Sequence, residues 1–174
     1  MKRFICAAAL TLLATPLHAM ELKSADVSQG APFPQSEICS RYGGSDISPA
    51  LSWSCVPTNT KSLALTIFDP DAHGGWWHWL MIDIPAGTTT MRQGAGSGKA
   101  ALPADAQQLE NSDGNAHYDG PCPPEGSGTP HYEITLWALP EKAVVPSGSS
   151  PADIGAWLAG HALAKAQLTP VYRK

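Results

Sequence analysis

The 174-residue sequence has few charged residues, since Asp, Glu, Lys and Arg make up 15% of it, and it has no cluster of bases. Its formal net charge of −4 shows that acidic residues outnumber basic ones. Nucleic acids and anionic membrane surfaces are bound through clustered Lys and Arg side chains. The sequence therefore predicts neither a nucleic-acid partner nor a membrane-surface partner.

No apolar run in the sequence is long enough to span a bilayer. The run over residues 4–13 follows Lys2 and Arg3 and precedes the small residue Ala19. A basic start, a short apolar stretch and a small residue at the cut are typical of a secretory signal peptide. We expect residues 1–19 to be removed near Ala19, and residues 20–174 to form a single domain that is periplasmic or secreted. An uncleaved anchor is the alternative.

Several motifs of catalysis are missing. The sequence has no CxxC pair, no HExxH and no GxSxG, and the glycine-rich stretch 94–99 is one residue too short for a phosphate-binding loop. Asp69, Asp71, His73, His78 and His131 are suitable metal ligands by type, but their spacing matches no zinc motif. The sequence thus predicts no catalytic residue, no metal and no cofactor, with a metal-assisted hydrolase as an alternative.

Cysteine is also scarce. Cys6 lies in the predicted signal peptide, which leaves Cys39, Cys55 and Cys122 in the exported chain. An odd number of cysteines in an oxidising compartment is most simply explained by one disulfide and one free thiol. The residue pattern alone leaves the pairing open.

Turn-forming residues are abundant. The 16 Gly and 16 Pro separate short runs of β-branched and aromatic residues, which favours a mainly β fold. We predict a central strand over residues 62–68, because both of its faces are apolar. Ser150 and Pro151 begin a predicted helix that runs to about Ala166. The other predicted segments are strands over 22–27, 51–56, 79–84 and 132–139, an irregular excursion over 86–118, and an extended tail over 168–172.

The stretch 69–79 concentrates the polar chemistry of the chain. It holds two carboxylates, two histidines and three tryptophans on a bend between two predicted core strands. An ordinary Asp-Pro-Asp turn is the simplest explanation of its first residues. His78, however, stands among tryptophans at the start of a buried strand and needs a polar partner or a ligand. We expect a carboxylate of the preceding turn to be that partner, and a pocket to form there.

Together these motifs resemble the phosphatidylethanolamine-binding protein family, in particular its bacterial Raf-kinase-inhibitor-like branch with exported members. The resemblance covers residues 22–172 and rests on ordered motifs: Cys39, SPALSW (48–53), KSLAL (61–65), DPD (69–71), GGWWHW (74–79), GPCPP (120–124) and HY (131–132). It implies an antiparallel β-sandwich with a C-terminal helix and a small anion-binding pocket. It also implies that Cys39 pairs with Cys122, which leaves Cys55 as a buried free thiol on a strand.

The resemblance assigns ligand-binding roles to matching positions of this sequence, to which we add His131: Asp69, Asp71, His78, Pro123, Pro124, His131 and Tyr132. Two positions depart from the family pattern. His73 stands in the turn where the family has Pro, and Pro130 stands where the family has His. Since neighbours on a strand point to opposite faces, His131 would point away from the pocket unless a bulge at Pro130 turned it inward.

Members of this family bind phosphate-like groups or phospholipid head groups, some inhibit kinases or proteases by contact, and they are not generally enzymes. We therefore expect a non-enzymatic binding protein for a small anion. The alternative is an interaction module with a vestigial pocket, whose partner contacts residues 86–118. Exposed edge strands would also allow a homodimer.

The matched motifs contain no Arg or Lys, so a phosphate group would have to share a proton with the pocket. That proton would sit either on His78 or on the phosphate as a donor to Asp69. We expect weak binding, about 0.1–1 mM, that tightens below about pH 7.

Overall fold

The structure is a computed structural model that describes residues 19–173, so residues 1–18, which carry nearly all of the predicted signal peptide, lie outside it. The described chain contains eight strands, one α-helix and two short 3₁₀ helices. The strands are β1 (Glu21–Ser24), β2 (Leu51–Ser54), β3 (Ser62–Asp69), β4 (Trp76–Pro85), β5 (Thr90–Met91), β6 (Gln107–Leu109), β7 (Glu133–Leu139) and β8 (Ala164–Leu168). The 3₁₀ helices are Gln35–Glu37 and Ser40–Tyr42, and the α-helix, α1, is Pro151–His161.

The strands form two antiparallel sheets. The larger sheet has the order β6-β4-β3-β7-β8, and the smaller has the order β1-β2-β5. The predicted fold class, an antiparallel β-sandwich with a C-terminal helix, is confirmed. The prediction of a central strand over residues 62–68 is also correct, because β3 lies between β4 and β7 in the larger sheet.

The larger sheet is buried on both faces, which explains its apolar sequence. Leu65 of β3, on the face toward the smaller sheet, belongs to the main core with Trp53 of β2. Ala64, its neighbour along β3, belongs to a second core with Ile154 and Leu158 of α1. Successive strand residues point to opposite faces, so a strand covered on both sides must be apolar throughout. No helix within the described residues combines the length and the apolar character needed to cross a bilayer.

The helix begins as predicted but ends earlier. Ser150 accepts a hydrogen bond from the backbone N–H of Asp153, and the Asp153 carboxylate accepts one from the backbone N–H of Ser150, which forms a capping box. The predicted end near Ala166 is wrong, since α1 ends at His161 and Ala164–Leu168 forms β8. The alanine-rich sequence favours a helix there, but pairing with β7 supplies hydrogen bonds along a whole strand edge.

Replacing Ser150 with Ala removes the side-chain half of this cap, and we expect the free energy of unfolding to fall by about 1 kcal/mol. Chemical denaturation of the variant measures the change. Ser147→Ala is the matched control, because Ser147 is an exposed serine of the same loop outside the capping box. Equal stability of the Ser150 and Ser147 variants would show that the cap contributes nothing.

Two further expectations from the sequence are corrected. Residues 86–118 are not irregular throughout, because β5 and β6 lie within them and each pairs with a neighbouring strand. Cys55 is exposed rather than buried on a strand. β2 ends at Ser54, and Cys55 has a positive φ of 57°, which takes it out of the strand's alternation.

Candidate functional site

A cavity of about 640 Å³ opens beside the turn that joins β3 to β4. Six of the seven predicted ligand-binding residues line it: Asp69, Asp71, His78, Pro123, Pro124 and Tyr132. They come from the end of β3 and the turn after it, the first residues of β4, the segment 120–124 (called the proline loop below) and the residue just before β7. The structure thus brings together positions up to 63 residues apart in sequence, from Asp69 to Tyr132.

Asp69 is nearly buried, with 5% of its surface exposed. Its Oδ1 accepts hydrogen bonds from the backbone N–H groups of Asp71, at 2.8 Å, and Ala72, at 3.1 Å, which fixes the Asp-Pro-Asp turn. Burial raises the pKa of Asp69 above its ordinary value, although these two bonds favour the charged form. Among the described residues, no hydrogen bond is made to Oδ2, so this oxygen is an acceptor without a protein partner.

Asp71 is held from outside the cavity by His131. Both the backbone N–H and the ring Nδ1 of His131 lie 2.8 Å from Asp71 Oδ2. These hydrogen bonds lower the pKa of Asp71. His131 is exposed and does not line the cavity, whereas its neighbour Tyr132 is fully buried. His131 and Tyr132 therefore point to opposite faces, as strand geometry predicts. His131 contacts the site indirectly, through Asp71.

His78 has a different partner from the one predicted. Its Nδ1 lies 2.9 Å from the backbone oxygen of Asp119, not from a carboxylate of the preceding turn. A peptide oxygen can only accept, so Nδ1 carries the proton. Burial lowers the pKa of His78 to about 4, so the ring is neutral near pH 7 and its Nε2 is an acceptor. The lowered pKa argues against His78 as the carrier of the proton shared with a phosphate.

The partner of His78 is positioned by a loop that the sequence analysis left unassigned. Asn111 is 3% exposed, and its Nδ2 donates to Asp119 Oδ2 at 2.6 Å. Its Oδ1 accepts from the backbone N–H groups of Asp113 and Asn115. This single amide closes the loop after β6, which presents the Asp119 carbonyl to His78 and places Asp113 on the cavity wall.

Tyr132 provides a buried hydroxyl group without a partner. Its side chain is fully buried, and within the described residues no hydrogen bond reaches its Oη. The ring is fixed by edge contacts with Phe33 and His78, whose centroids lie 5.4 and 5.1 Å away. Burial and the nearby Asp69 raise the pKa of Tyr132 well above its usual range, so the hydroxyl remains protonated and can donate.

The predicted disulfide is present and forms one side of the cavity. Cys39 and Cys122 are bonded across 83 residues, and Cys122 lines the cavity. The bridge brings the 3₁₀ helix that carries Arg41 to the proline loop, where the hydroxyl of Tyr42 donates to the backbone oxygen of Pro123 at 2.6 Å. Gly120 is required here, since a Cβ would lie 2.3 Å from the backbone oxygen of Glu37.

The cavity wall contains four chemically important residues that were not among the predicted ligands: Arg41, His73, Trp76 and Asp113. Arg41 corrects the expectation of a pocket without a fixed cation. It is exposed, and no ion pair with it occurs within residues 19–173. Its only sequence signal is indirect, because it lies two residues after Cys39, whose bridge leads to the proline loop.

The carboxylates and histidines do not assemble as a metal centre. Within the described part of the chain, no group of three or more His, Cys, Asp or Glu side chains is placed to hold a metal ion. The cavity instead combines hydrogen-bond acceptors, at Asp69 and His78, with donors, at Arg41 and Tyr132. This combination suits a small polar ligand that both donates and accepts hydrogen bonds.

The two antiparallel sheets, the C-terminal helix and the cavity beside the Asp-Pro-Asp turn define a β-sandwich of the phosphatidylethanolamine-binding type. The sequence pattern of the family described as phosphatidylethanolamine-binding protein matches residues 23–173. The chain belongs to this family, which confirms the resemblance recognised in the sequence.

Three relatives and one solved structure illustrate the similarity. UPF0098 protein YbcL of Escherichia coli K12 is 41% identical over 88% of this chain and 87% of its own length. UPF0098 protein YbhB of the same strain is 39% identical over 88% of this chain and 99% of its own length. The putative lipoprotein LppC of Mycobacterium tuberculosis H37Rv is 35% identical over 91% of this chain and 76% of its own length. The crystal structure of E. coli YbcL, described as a member of the mammalian PEBP family, superposes with a TM-score of 0.83 and 40% identity, covering 90% of this chain and 99% of YbcL.

Membership of this family supports a binding protein of the phosphatidylethanolamine-binding type.

Proposed function

We propose that this protein is a non-enzymatic binding protein whose cavity takes a small phosphate-like group, either free or on a head group. The observation that carries the proposal is the wall of the cavity, where the cation Arg41 and the unpartnered hydroxyl of Tyr132 stand with Asp69 and His78. A buried hydroxyl without a partner is costly, and a bound oxygen atom would satisfy it.

The geometry supports binding rather than catalysis. The one serine on the cavity wall, Ser127, donates its hydroxyl to the backbone oxygen of Pro124, and Nδ1 of His78 is used by the Asp119 carbonyl. The one cysteine on the wall, Cys122, is in the disulfide. Asp69 fixes the turn and Asp71 ties it to His131, which makes both residues parts of a preformed wall.

The Tyr132→Phe variant tests the proposal. We expect the dissociation constant for phosphorylethanolamine to rise by about tenfold, because one hydrogen bond to a charged group is lost. Stability should be retained, since the hydroxyl makes no protein hydrogen bond. Isothermal titration, or NMR titration of labelled protein for weak binding, measures the change.

Tyr118→Phe is the matched control. Tyr118 is equally buried, but its hydroxyl donates to the backbone oxygen of Glu37 and the residue does not line the cavity. This variant should lose stability and keep its affinity. Unchanged affinity in Tyr132→Phe, or no phosphorylethanolamine binding by the unmodified protein, would contradict the proposal.

Export is the proposed setting. The described chain contains a disulfide, which is typical of oxidising compartments, and one relative is named a putative lipoprotein. Cleavage near Ala19 stays a prediction, as do the homodimer and the protein partner that would be inhibited by contact.

A further inference from the structure

Two nearly buried side chains on the cavity wall, Asp69 and His78, present acceptor atoms, and these limit the ionic form of the ligand. Nδ1 of His78 donates to Asp119, which leaves Nε2 as a lone pair. Oδ1 of Asp69 accepts two backbone N–H groups, which leaves Oδ2 as a second acceptor. With Asp69 ionised and His78 neutral, neither atom can form a hydrogen bond with a ligand oxygen unless that oxygen carries a proton.

The surrounding charges also oppose a fully ionised phosphate. Three carboxylates, Asp69, Asp71 and Asp113, share the wall with one fixed cation, Arg41. The remaining titratable groups that face the cavity are His73, His78 and Tyr132. Like charges in a partly enclosed cavity repel, so each additional negative charge on the ligand weakens binding.

We propose that the cavity selects a phosphate group that carries a proton, in which the P–OH donates to the acceptors of Asp69 and His78 while Tyr132 and Arg41 donate to the other oxygens. The inference rests on the proposed function, since it names the form of the phosphate-like ligand. It favours inorganic phosphate and phosphomonoesters over sulfate and phosphodiesters. Sulfate and phosphodiesters are tetrahedral as well, but they have no acidic proton left at neutral pH.

Four ligands test the proposal against the unmodified protein at pH 6: inorganic phosphate, phosphorylethanolamine, glycerophosphorylethanolamine and sulfate. We expect sulfate and the diester to bind at least about tenfold more weakly than phosphate and the monoester, because a site built to accept a ligand O–H leaves its acceptors unpaired without one. The two ethanolamine compounds carry the same amine, so their difference isolates the P–OH. Comparing phosphate with phosphorylethanolamine distinguishes free phosphate from a released head group, and the diester represents the head group of an intact phospholipid.

The pH dependence provides a second measurement. Phosphomonoesters lose their remaining proton near pH 6, so affinity should fall by about tenfold for each pH unit above roughly 7. Equal binding of sulfate and phosphate, or of monoester and diester, would overturn the inference while leaving the proposed function intact. If none of the four ligands binds, the proposed function fails and the inference fails with it.

Asp69→Asn is the matched variant. Its side-chain oxygen can still accept the N–H groups of Asp71 and Ala72, while the amide nitrogen replaces the free acceptor by a donor. We expect this variant to bind sulfate more tightly than the unmodified protein does and to lose most of the preference for phosphate. An unaltered preference in a folded variant would contradict the role of Asp69, and the ligand series remains decisive if the variant does not fold.

Discussion

Replacing both Cys39 and Cys122 with Ser is expected to lower the free energy of unfolding by about 4.5 kcal/mol. The bridge closes a loop of 83 residues, and in the chain-entropy model the stabilisation grows with the logarithm of that length. Thermal or denaturant unfolding of the double variant measures the loss. We also expect weaker ligand binding, because the bridge joins the 3₁₀ helix of Arg41 to the proline loop on the cavity wall.

Cys55→Ser is the control for this experiment. Cys55 is a free, exposed cysteine, so its replacement should change stability by less than about 0.5 kcal/mol. Thiol titration of the unfolded, unreduced chain from residue 20 onward should find one reactive thiol. Three reactive thiols, or a loss of stability under about 1 kcal/mol in the double variant, would contradict the structural role of the bridge.

We expect Glu37→Gln to reduce the amount by which the free energy of unfolding falls between about pH 5 and pH 8. Glu37 is fully buried, and neither carboxylate oxygen has a hydrogen-bond partner of good geometry in the described structure. Burial, with a smaller contribution from the negative charge of Asp26, raises its pKa from 4.5 to about 8, while the nearby amide of Gln93 partly offsets this. The folded protein thus holds a proton that the unfolded chain releases.

The sign of the effect follows from proton linkage. The contribution of Glu37 is fully present below about pH 4.5, and it is lost as the pH rises toward 8, where the unfolded chain is ionised and the folded chain is not. Over this window we expect the free energy of unfolding of the variant to rise by on the order of 3 kcal/mol relative to that of the unmodified protein. The difference between the two proteins is the measured quantity, because other groups titrate in both.

Glu110→Gln is the matched control, since Glu110 is exposed and its replacement should leave the slope unchanged. Denaturant unfolding at pH 5, 6, 7 and 8 gives the comparison. Parallel curves for the unmodified protein and Glu37→Gln would show that Glu37 ionises in the folded state much as it does in water.

The local features of this protein were readable from the sequence because they depend on short-range chemistry. The apolar faces of β3 predicted its central position, and Ser150 with Pro151 predicted the start of α1. The Asp-Pro-Asp turn also needs only nearby residues, since Asp69 bonds the next two backbone N–H groups. The motif order then led to the family and to the bridge between Cys39 and Cys122.

The features that were missed depend on distant parts of the chain. Ala164–Leu168 has a helical composition and became a strand because the edge of β7 was available to it. His78 found its partner in Asp119, 41 residues further on, through a loop closed by Asn111. No local sequence pattern predicts which distant carbonyl His78 will contact. Without that contact the tautomer and the lowered pKa of His78 could not be inferred.

The sequence by itself determined that this protein is mainly β with its polar chemistry on the bend at residues 69–79, since apolar periodicity and turn residues act locally. The antiparallel sandwich was implied by the resemblance to the family. Only the tertiary structure decided what that bend can bind. Folding brought the cation Arg41 to the wall through the disulfide and buried His78 as a neutral acceptor beside Asp69. Burial and hydrogen bonding set the protonation of a side chain, and both are properties of the packed molecule rather than of the sequence motif.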